Sequence, residues 1–221
     1  MRLIIAGTGF PEILTLVNEI NKIKNNSIEV VGFIDDNKQN SNRNLYGYSY
    51  LGPFEELRNF KDTYVINTVS RSMKIRYEST KRLIELGANF CNLIHPLSTI
   101  SINNIGLGNI VLAGCVFEIG TTVGSHNLFL RNNIVGHDSK IFDYSFFGHG
   151  CIINGHTFID NYCFIGANST LGPSIKVAQK TVISPGSYIG TDTKEKSSYM
   201  SRPPQRMYPI PKTSDHFWGD S

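Results

Sequence analysis

The sequence predicts two successive domains: a small α/β domain with a parallel sheet, then a prism built from three flat parallel β-sheets. The prism is indicated by a bulky apolar residue at every sixth position of the second half, and the α/β domain by alternating strand and helix patterns before it. A chain of 221 residues is long enough for both. We place the domains at residues 1–97 and 98–195, followed by a C-terminal tail, residues 196–221.

The six-residue repeat is the strongest signal in the chain. With 40% of all residues apolar, chance would give an unbroken series of this length roughly once in a million sequences. A strand that turns after every sixth residue closes one coil in three hexads, with an apolar stack inside. The fifteen repeat positions are Ile105, Val111, Phe117, Val123, Phe129, Val135, Ile141, Phe147, Ile153, Ile159, Ile165, Leu171, Val177, Ile183 and Ile189.

Two companion positions support the repeat. The residue two places before each apolar one is small or short and polar, with Ile175 as the exception: Asn103, Asn109, Cys115, Thr121, Asn127, Asn133, Ser139, Ser145, Cys151, Thr157, Cys163, Ser169, Thr181 and Ser187. We expect these side chains to stack inward at the corners, where burial makes the thiols inert. Glycine follows the apolar residue at seven places, where we expect positive φ: Gly106, Gly124, Gly136, Gly148, Gly166, Gly172 and Gly190.

The first hundred residues alternate between strands and helices, which predicts a small parallel sheet. The predicted strands are Leu3–Ala6, Val30–Ile34 and Tyr64–Asn67, and the predicted helices are Glu12–Lys24 and a segment near Lys74–Leu86 that Gly87 ends.

The first strand leads through Gly7, Thr8 and Gly9 into a helix, and the second ends at Asp35 and Asp36. Backbone N–H groups of such a loop can hold a phosphate, and the acidic side chains can accept hydrogen bonds from a ribose or a base. The alternative is that these residues bind no ligand, the glycines forming only a tight turn and the aspartates an exposed acidic turn. Only the combination favours a nucleotide, because the glycine fingerprint lacks its third glycine.

Composition excludes several classes of function. A net charge of +3 and a pI near 8.6, without a basic-aromatic patch, argue against nucleic-acid binding. No stretch approaches the about 18 apolar residues that cross a membrane, and the start MRLIIAGTGF lacks a cleavage-site pattern. We therefore expect a cytoplasmic protein without membrane insertion. The four cysteines form neither a disulfide framework nor a metal-binding spacing.

The segments IIAGTG, VGFIDD, YLGPFEEL and RLIELGANFCNLIHP, followed by the hexads, resemble the bacterial sugar acyltransferases of the NeuD/PglD-like family. This family includes sialic-acid O-acetyltransferase-like and nucleotide-amino-sugar N-acetyltransferase proteins. The resemblance implies an N-terminal Rossmann-like domain that holds a nucleotide-linked sugar. It also implies a left-handed parallel β-helix of hexapeptide repeats that holds acetyl-CoA or another acyl-CoA, and a homotrimer with the cofactor between subunits. The implied function is acyl-CoA-dependent N-acylation of a nucleotide-linked amino sugar in polysaccharide biosynthesis.

The segment from Ile134 to Asp138 is similar to the part of that family that carries its general base. The resemblance implies that His137 is the base and that Asp138 orients it. An imidazole titrates near neutral pH and is held in one tautomer by a carboxylate, so the roles suit the residues. His149, which is also expected to face outward, is the rival candidate.

Three departures from the family pattern leave alternatives open. Gly136 replaces a carboxylate before the base, Leu130 replaces an asparagine, and Phe146 replaces a second histidine. Together with Tyr144 and Phe147 they predict a changed, more aromatic acceptor pocket. A sugar O-acetyltransferase and a catalytically silent nucleotide-sugar-binding scaffold therefore remain as alternatives.

The resemblance also implies the binding residues. The acyl-CoA arm is expected along Gly155, Gly166, Ala167, Asn168, Pro185 and Gly186, and the nucleotide-linked sugar along Gly7, Thr8, Gly9, Asp35, Asp36 and Phe146. No metal is expected. The γ-class carbonic anhydrases place zinc-binding histidines on this same fold with two of them five residues apart, whereas the histidines from His126 to His156 are spaced by eleven, twelve and seven.

Overall fold

The computed structural model describes residues 1–25, 27–37, 44–70, 72–102 and 104–200. Its N-terminal part is an α/β domain with a five-stranded sheet in the order β3-β4-β2-β1-β5. Strands β4, β2, β1 and β5 are parallel, and β3 is antiparallel to β4. The elements are β1 (Arg2–Ala6), α1 (Glu12–Lys24), β2 (Glu29–Ile34), β3 (Asn44–Leu45), β4 (Tyr48–Gly52), a 3₁₀ helix (Phe54–Asn59), β5 (Tyr64–Asn67) and α2 (Met73–Glu85).

The two helices lie where the sequence predicts them. Helix α1 buries an apolar face of Ile13, Leu16, Val17 and Ile20, which recur at helical spacing. Ser72 is the N-cap of helix α2, and its hydroxyl accepts a hydrogen bond from the backbone N–H of Ile75 (3.2 Å). After α2, Gly87 has a φ of +83°, which glycine adopts without strain. Strands β3 and β4 and the 3₁₀ helix are additions to the predicted elements.

The rest of the described chain forms a prism of two-residue strands. Sheet I contains β6, β9, β12, β15, β18, β21 and β23, sheet II β7, β10, β13, β16, β19 and β22, and sheet III β8, β11, β14, β17 and β20. All neighbouring strands within a sheet are parallel. The strands are β6 (Leu93–Ile94), β7 (Thr99–Ile100), β8 (Asn104–Ile105), β9 (Ile110–Val111), β10 (Val116–Phe117), β11 (Thr122–Val123), β12 (Leu128–Phe129), β13 (Ile134–Val135), β14 (Lys140–Ile141), β15 (Phe146–Phe147), β16 (Ile152–Ile153), β17 (Phe158–Ile159), β18 (Phe164–Ile165), β19 (Thr170–Leu171), β20 (Lys176–Val177), β21 (Val182–Ile183), β22 (Tyr188–Ile189) and β23 (Ser198–Tyr199).

The predicted hexad register is confirmed. The second residue of each strand points inward, and the positions from Val111 to Ile189 form one buried apolar cluster, with Ile105 packed against it at its start. Strand pairing begins at Leu93, ahead of the first predicted hexad. The spacing from Ile94 to Ile100 is six residues, but only five separate Ile100 from Ile105, which interrupts the period in the sequence.

The small polar positions form hydrogen-bonded ladders at the corners, as their inward direction requires. The side-chain amide of Asn109 donates to the carbonyl oxygens of Gly106 (3.0 Å) and Gly124 (2.8 Å). Its oxygen accepts from the backbone N–H of Asn127, whose own oxygen accepts from that of Ser145. Each coil is thus tied to the next. Asn103 lies outside the described residues.

The structure corrects the prediction of positive φ at the seven glycines. Positive φ occurs two residues later, for example at His126, Asp138 and Asn168, while none of the seven glycines has it. Their lack of a side chain serves a different purpose, the close approach of adjacent coils. A Cβ on Gly136, for instance, would lie 2.6 Å from the backbone nitrogen of Gly155.

The α/β domain packs on the outer face of sheet I. A second apolar cluster joins α1 and the first sheet to the outward residues Leu93, Ile110, Leu128 and, at its edge, Phe146. Helix α2 packs on the neighbouring corner, where the ring of Tyr77 lies 5.2 Å and 5.4 Å from the rings of Tyr144 and Tyr162. None of the helices in the described ranges is both long and apolar enough to span a membrane.

Candidate active site

His137 and Asp138 lie together on the corner between sheets II and III, called corner II/III and formed by residues 136–139 and the equivalent turns of other coils. Nδ1 of His137 lies 2.9 Å from Oδ2 of Asp138. A proton on Nδ1 is donated to this carboxylate, so Nε2 keeps its lone pair. The two side chains are 52% and 53% exposed, and the pair is open to a reactant.

Asp138 is built into the turn as a charged partner of the imidazole. Its backbone has a φ of 56°, a conformation that aspartate tolerates better than most residues. The hydrogen bond from His137 is the largest cause that lowers the pKa of Asp138, and the nearby His156 adds to this. The carboxylate is therefore ionised at neutral pH, as an orienting partner must be.

The next coil places Gly155 and His156 beside the pair. A Cβ on Gly155 would lie 2.8 Å from Nε2 of His137, so the imidazole rests on a bare backbone. The ring of His156 meets that of His137 edge to face, with 4.8 Å between centroids. Sequence analysis assigned Gly155 to the cofactor, and the structure brings it directly under the candidate base.

Metal binding is chemically possible at this corner. The nitrogen and oxygen atoms of His137, Asp138 and His156 lie within 4.8 Å of one another, the one such group of three found among the described residues. Two imidazoles and a carboxylate are ligands that divalent transition metals accept. The expected absence of a metal stays a prediction.

Glu118 is a residue of this corner that sequence analysis missed. Its Oε2 accepts a hydrogen bond from the backbone N–H of His137 (2.9 Å). Glu118 lies eighteen residues, one coil, before Gly136, the position at which the family pattern has a carboxylate. A carboxylate therefore reaches the backbone of the candidate base from the preceding coil. The eighteen-residue period, applied to polar residues, is the signal that would have found it.

The other predicted cofactor residues share a different corner, corner I/II, between sheets I and II. Gly166, Ala167 and Asn168 lie on one coil, and Pro185 and Gly186 lie on the next. The backbone N–H of Gly186 donates to the carbonyl oxygen of Ala167 (2.8 Å), and a Cβ on Gly166 would lie 2.4 Å from the nitrogen of Pro185. The five residues form a tightly stacked edge with little side-chain cover.

His149 also lies on corner I/II and is exposed, as predicted. The backbone N–H of Asn168 donates to its carbonyl oxygen (2.7 Å). The two outward histidines of the sequence analysis, His137 and His149, are therefore on different corners, and only His137 has a carboxylate partner in the described structure.

The aromatic residues expected to reshape an acceptor pocket have structural partners within one chain. Phe147 is buried in the prism core, stacked on Phe129. Tyr144 stacks between His126 and Tyr162 beneath α2. Phe146 stacks on Phe164 and meets the edge of the interdomain cluster, as does Leu130. The role of Phe146 in substrate binding stays a prediction.

The predicted nucleotide loop lies at the carboxyl end of β1. Gly7 has a φ of 91°, and a Cβ there would lie 2.8 Å from Cγ2 of Val69, so the turn requires glycine. The hydroxyl of Thr8 donates to Oδ2 of Asp35 (2.7 Å). A Cβ on Gly9 would meet nothing within 4 Å, which leaves this side of the loop open.

Asp36 points to a different set of partners. It forms an ion pair with Arg82, and its Oδ1 accepts from the backbone N–H of Phe54 (3.1 Å) at the start of the 3₁₀ helix. Arg82 also pairs with Glu55. The structure thus joins Thr8 to Asp35 at the loop, while Asp36 ties β2 to α2.

The structure does not support a nucleophilic role for the described cysteines. Cys91, Cys115, Cys151 and Cys163 are free and buried. Burial raises the pKa of Cys151 to about 11 and that of Cys163 to about 12, so their thiols stay protonated at neutral pH.

The candidate base and the nucleotide loop lie on opposite sides of the chain. In the triangular cross-section of the prism, corner II/III is the vertex opposite sheet I, and sheet I carries the α/β domain. The prism therefore lies between His137 and the predicted nucleotide loop of the same chain.

No known family model matches the chain, and no curated protein matches it significantly. Solved structures do match. A variant of perosamine N-acetyltransferase from Caulobacter crescentus, in complex with CoA and GDP-perosamine, aligns with a TM-score of 0.80 at 16% identity, covering 91% of this chain and 94% of that one. The acetyltransferase domain of PglB from Neisseria gonorrhoeae, with acetyl coenzyme A, gives 0.78 at 21%, covering 93% and 98%. WeeI from Acinetobacter baumannii gives 0.71 at 17%, covering 91% and 97%. The chain has the fold of these proteins over nearly its whole length.

Proposed function

We propose that the protein is an acyl-CoA-dependent N-acyltransferase, most directly an N-acetyltransferase, that acts on a nucleotide-linked amino sugar. In this proposal acetyl-CoA or another acyl-CoA is the co-substrate, the α/β domain is Rossmann-like and holds the nucleotide, and the prism is a left-handed β-helix. The shared fold supports the class, since the perosamine enzyme is an N-acetyltransferase whose structure contains CoA and GDP-perosamine.

The observation that carries the proposal is the His137–Asp138 pair. A 2.9 Å contact fixes the proton on Nδ1 and leaves Nε2 as a base, on a side chain that is half exposed. A general base for an amine needs a free lone pair that a reactant can reach, and this arrangement provides one. The pair also lies at a corner with little side-chain cover, over Gly155.

Assembly supplies what a single chain lacks. The outward residues of sheet II include Val116, Ile134 and Ile152, and Ile119 beside them is 73% exposed. An apolar face of this kind favours contact between copies. We infer a homotrimer in which the three sheets II face the threefold axis, so that corner II/III of one copy meets corner I/II of the next.

This arrangement brings the separated parts of the site together. His137 and Gly155 of one copy would face Gly166, Ala167 and Asn168 of its neighbour. The neighbour's α/β domain, which packs on sheet I next to that corner, would present the nucleotide-linked sugar to the base. Each trimer would contain three such sites.

The chemistry follows from the residues at the two corners. Nε2 of His137 would take a proton from the sugar ammonium group or from the amine as it attacks the acyl carbonyl carbon. The C–N bond forms, the C–S bond breaks, and the proton passes to the departing thiolate. Backbone N–H groups at the glycine-lined corners would stabilise the oxygen on which negative charge develops. Asp138 holds the imidazole in the required tautomer throughout.

Release of free CoA tests the proposal. Purified protein is mixed with acetyl-CoA or a longer acyl-CoA and a panel of uridine, guanosine and thymidine diphosphate amino sugars, and thiol release and product mass are recorded. We expect release with at least one amino sugar and an alkali-stable acetylated product. An alkali-labile product would indicate transfer to a hydroxyl group. Nucleotide-sugar binding without CoA release across the panel would refute the enzyme and leave a binding scaffold.

A further inference from the structure

Arg76 is a buried cation that has no carboxylate partner among the described residues. It lies in the first turn of α2 and is 0% exposed, the largest fully buried side chain described. It belongs to none of the ion pairs that the structure records in its described ranges. An uncompensated buried charge is strongly unfavourable, so a protein that keeps one has a use for it.

Three backbone carbonyl oxygens hold the guanidinium in place. Nη1 donates to the carbonyls of Asn67 (2.8 Å) and Val69 (3.2 Å), and Nε donates to that of His126 (3.1 Å). Nη2 is buried without a hydrogen-bond partner. Burial lowers the pKa of Arg76 to about 10, so the group keeps its charge at neutral pH.

The charge lies directly behind the predicted nucleotide loop. Asn67 ends β5, which pairs with β1 through Asn67 and Ala6, and Val69 follows it. A Cβ on Gly7 would lie 3.0 Å from the backbone nitrogen of Val69, whose carbonyl oxygen Arg76 contacts. A single residue, Val69, therefore separates the guanidinium from the turn in which ligands of parallel α/β sheets bind.

We propose that Arg76 supplies the positive potential that draws the diphosphate of the nucleotide-linked sugar to the Gly7-Thr8-Gly9 loop. The guanidinium acts through space, from behind the loop, and the bound anion is the counter-ion that the described residues do not provide. The identity of the ligand as a nucleoside diphosphate rests on the proposed function, whereas the need for an anion rests on Arg76 alone.

The expected size of the effect follows from Coulomb's law. Over roughly 10 Å at an effective dielectric constant of ~20, one unit charge changes the affinity for a singly charged group by about tenfold or more. The alternative is a purely structural role, in which Arg76 only joins the end of β5 to the prism at His126. A structural role would affect stability and would not distinguish charged from neutral ligands.

The test compares two replacements of Arg76, one neutral and one positively charged. Arg76→Gln removes the charge and Arg76→Lys retains it, while both lose hydrogen bonds to the carbonyls. Calorimetry measures the binding of UDP and GDP, of the neutral nucleosides uridine and guanosine, and of inorganic pyrophosphate, each to the full chain. Thermal melting of each variant reports its stability.

We expect Arg76→Gln to weaken the binding of pyrophosphate, and of whichever of UDP and GDP binds more tightly, at least tenfold. Arg76→Lys should weaken the binding of the same ligands less than threefold. The corresponding nucleoside should bind both variants equally. Equal losses in the two variants, or a loss that extends to the nucleoside, would overturn the proposal in favour of a structural role. Wild-type protein that binds neither nucleoside diphosphate nor pyrophosphate would overturn it as well.

A second neutral replacement covers the case in which Arg76→Gln does not fold. Arg76→Met removes the charge without burying a new polar group, and Arg76→Lys again serves as the charged control. We expect Arg76→Met to bind nucleoside diphosphate at least tenfold more weakly than wild type, and an affinity equal to that of Arg76→Lys would contradict the proposal. Failure of the proposed enzymatic function can be distinguished from failure of this proposal. If nucleoside diphosphate binding depends on Arg76 but no CoA is released, only the proposed acyl transfer is refuted.

Discussion

Replacing Gly155 by alanine should reduce turnover without reducing stability. The new Cβ would lie 2.8 Å from Nε2 of His137, whereas ordinary contact begins at 3.4 Å, so the ring must retreat by about 0.6 Å. Gly155 does not have positive φ, and alanine at such a position stabilises a protein by about 0.4–1 kcal/mol through the unfolded state. A 1 Å displacement of a catalytic group costs roughly 10²-fold, so we expect kcat to fall by roughly tenfold.

Two further alanine variants on the same corner serve as comparisons. At Gly136 the Cβ would lie 2.6 Å from a backbone nitrogen, which cannot move aside, so we expect a loss of about 1–3 kcal/mol and a lower melting temperature. At Gly172 the nearest atom is 3.2 Å away, and we expect little change in either quantity. Steady-state CoA release and thermal melting measure both. Full activity in Gly155→Ala would refute the placement of the base over Gly155.

Three other predictions follow from the same structure. His137→Ala should lower kcat by roughly 10²–10⁴-fold with CoA affinity retained, and Asp138→Asn should cost less, because it removes only the partner that orients the imidazole. Loss of turnover in His149→Ala with His137→Ala active would contradict this. Ile153→Asp should unfold the prism, since it buries an unpaired carboxylate at a cost of several kcal/mol. Ile175→Ser should destabilise the prism much less. If both variants have the melting temperature of the wild type, the hexad register is wrong. Burial lowers the pKa of His126 from 6.5 to about 4, so the unfolded chain binds more protons than the folded chain between these pH values. The free energy of unfolding should therefore fall by ~3 kcal/mol as the pH drops from 6.5 to 4. His126→Asn should flatten this part of the profile of unfolding free energy against pH, and an unchanged profile would count against the buried neutral imidazole.

The prism was predictable because a six-residue period reports directly on which side chains face inward. The same logic explains the miss at its start, where the five-residue step from Ile100 to Ile105 breaks the period although the sheets continue to Leu93. In the α/β domain, β4 was missed because Tyr48–Gly52 is half-buried and carries no clear alternation.

The candidate site was predictable only where its residues are adjacent in sequence. His137 and Asp138 are neighbours and form the expected contact. Glu118 and His156 reach the same corner through the coil period, which sequence analysis applied to the apolar, small polar and glycine positions and not to outward charged residues or histidines. Arg76 could not be predicted, because an arginine on a helix is usually solvated, and its burial depends on how α2 packs against the prism.

Subunit complementation tests the intersubunit site most directly. Two variants, His137→Ala and Ala167→Trp, should each be inactive, the first without its base and the second with a blocked cofactor corner. In randomly mixed trimers, a site with an intact His137 from one copy and an intact Ala167 from its neighbour arises at about one quarter of the interfaces. We predict that co-expressed variants recover about one quarter of the wild-type CoA release, while either variant alone stays inactive. Mixed trimers that recover no activity would contradict the account, because the base and the cofactor corner would then have to come from the same chain.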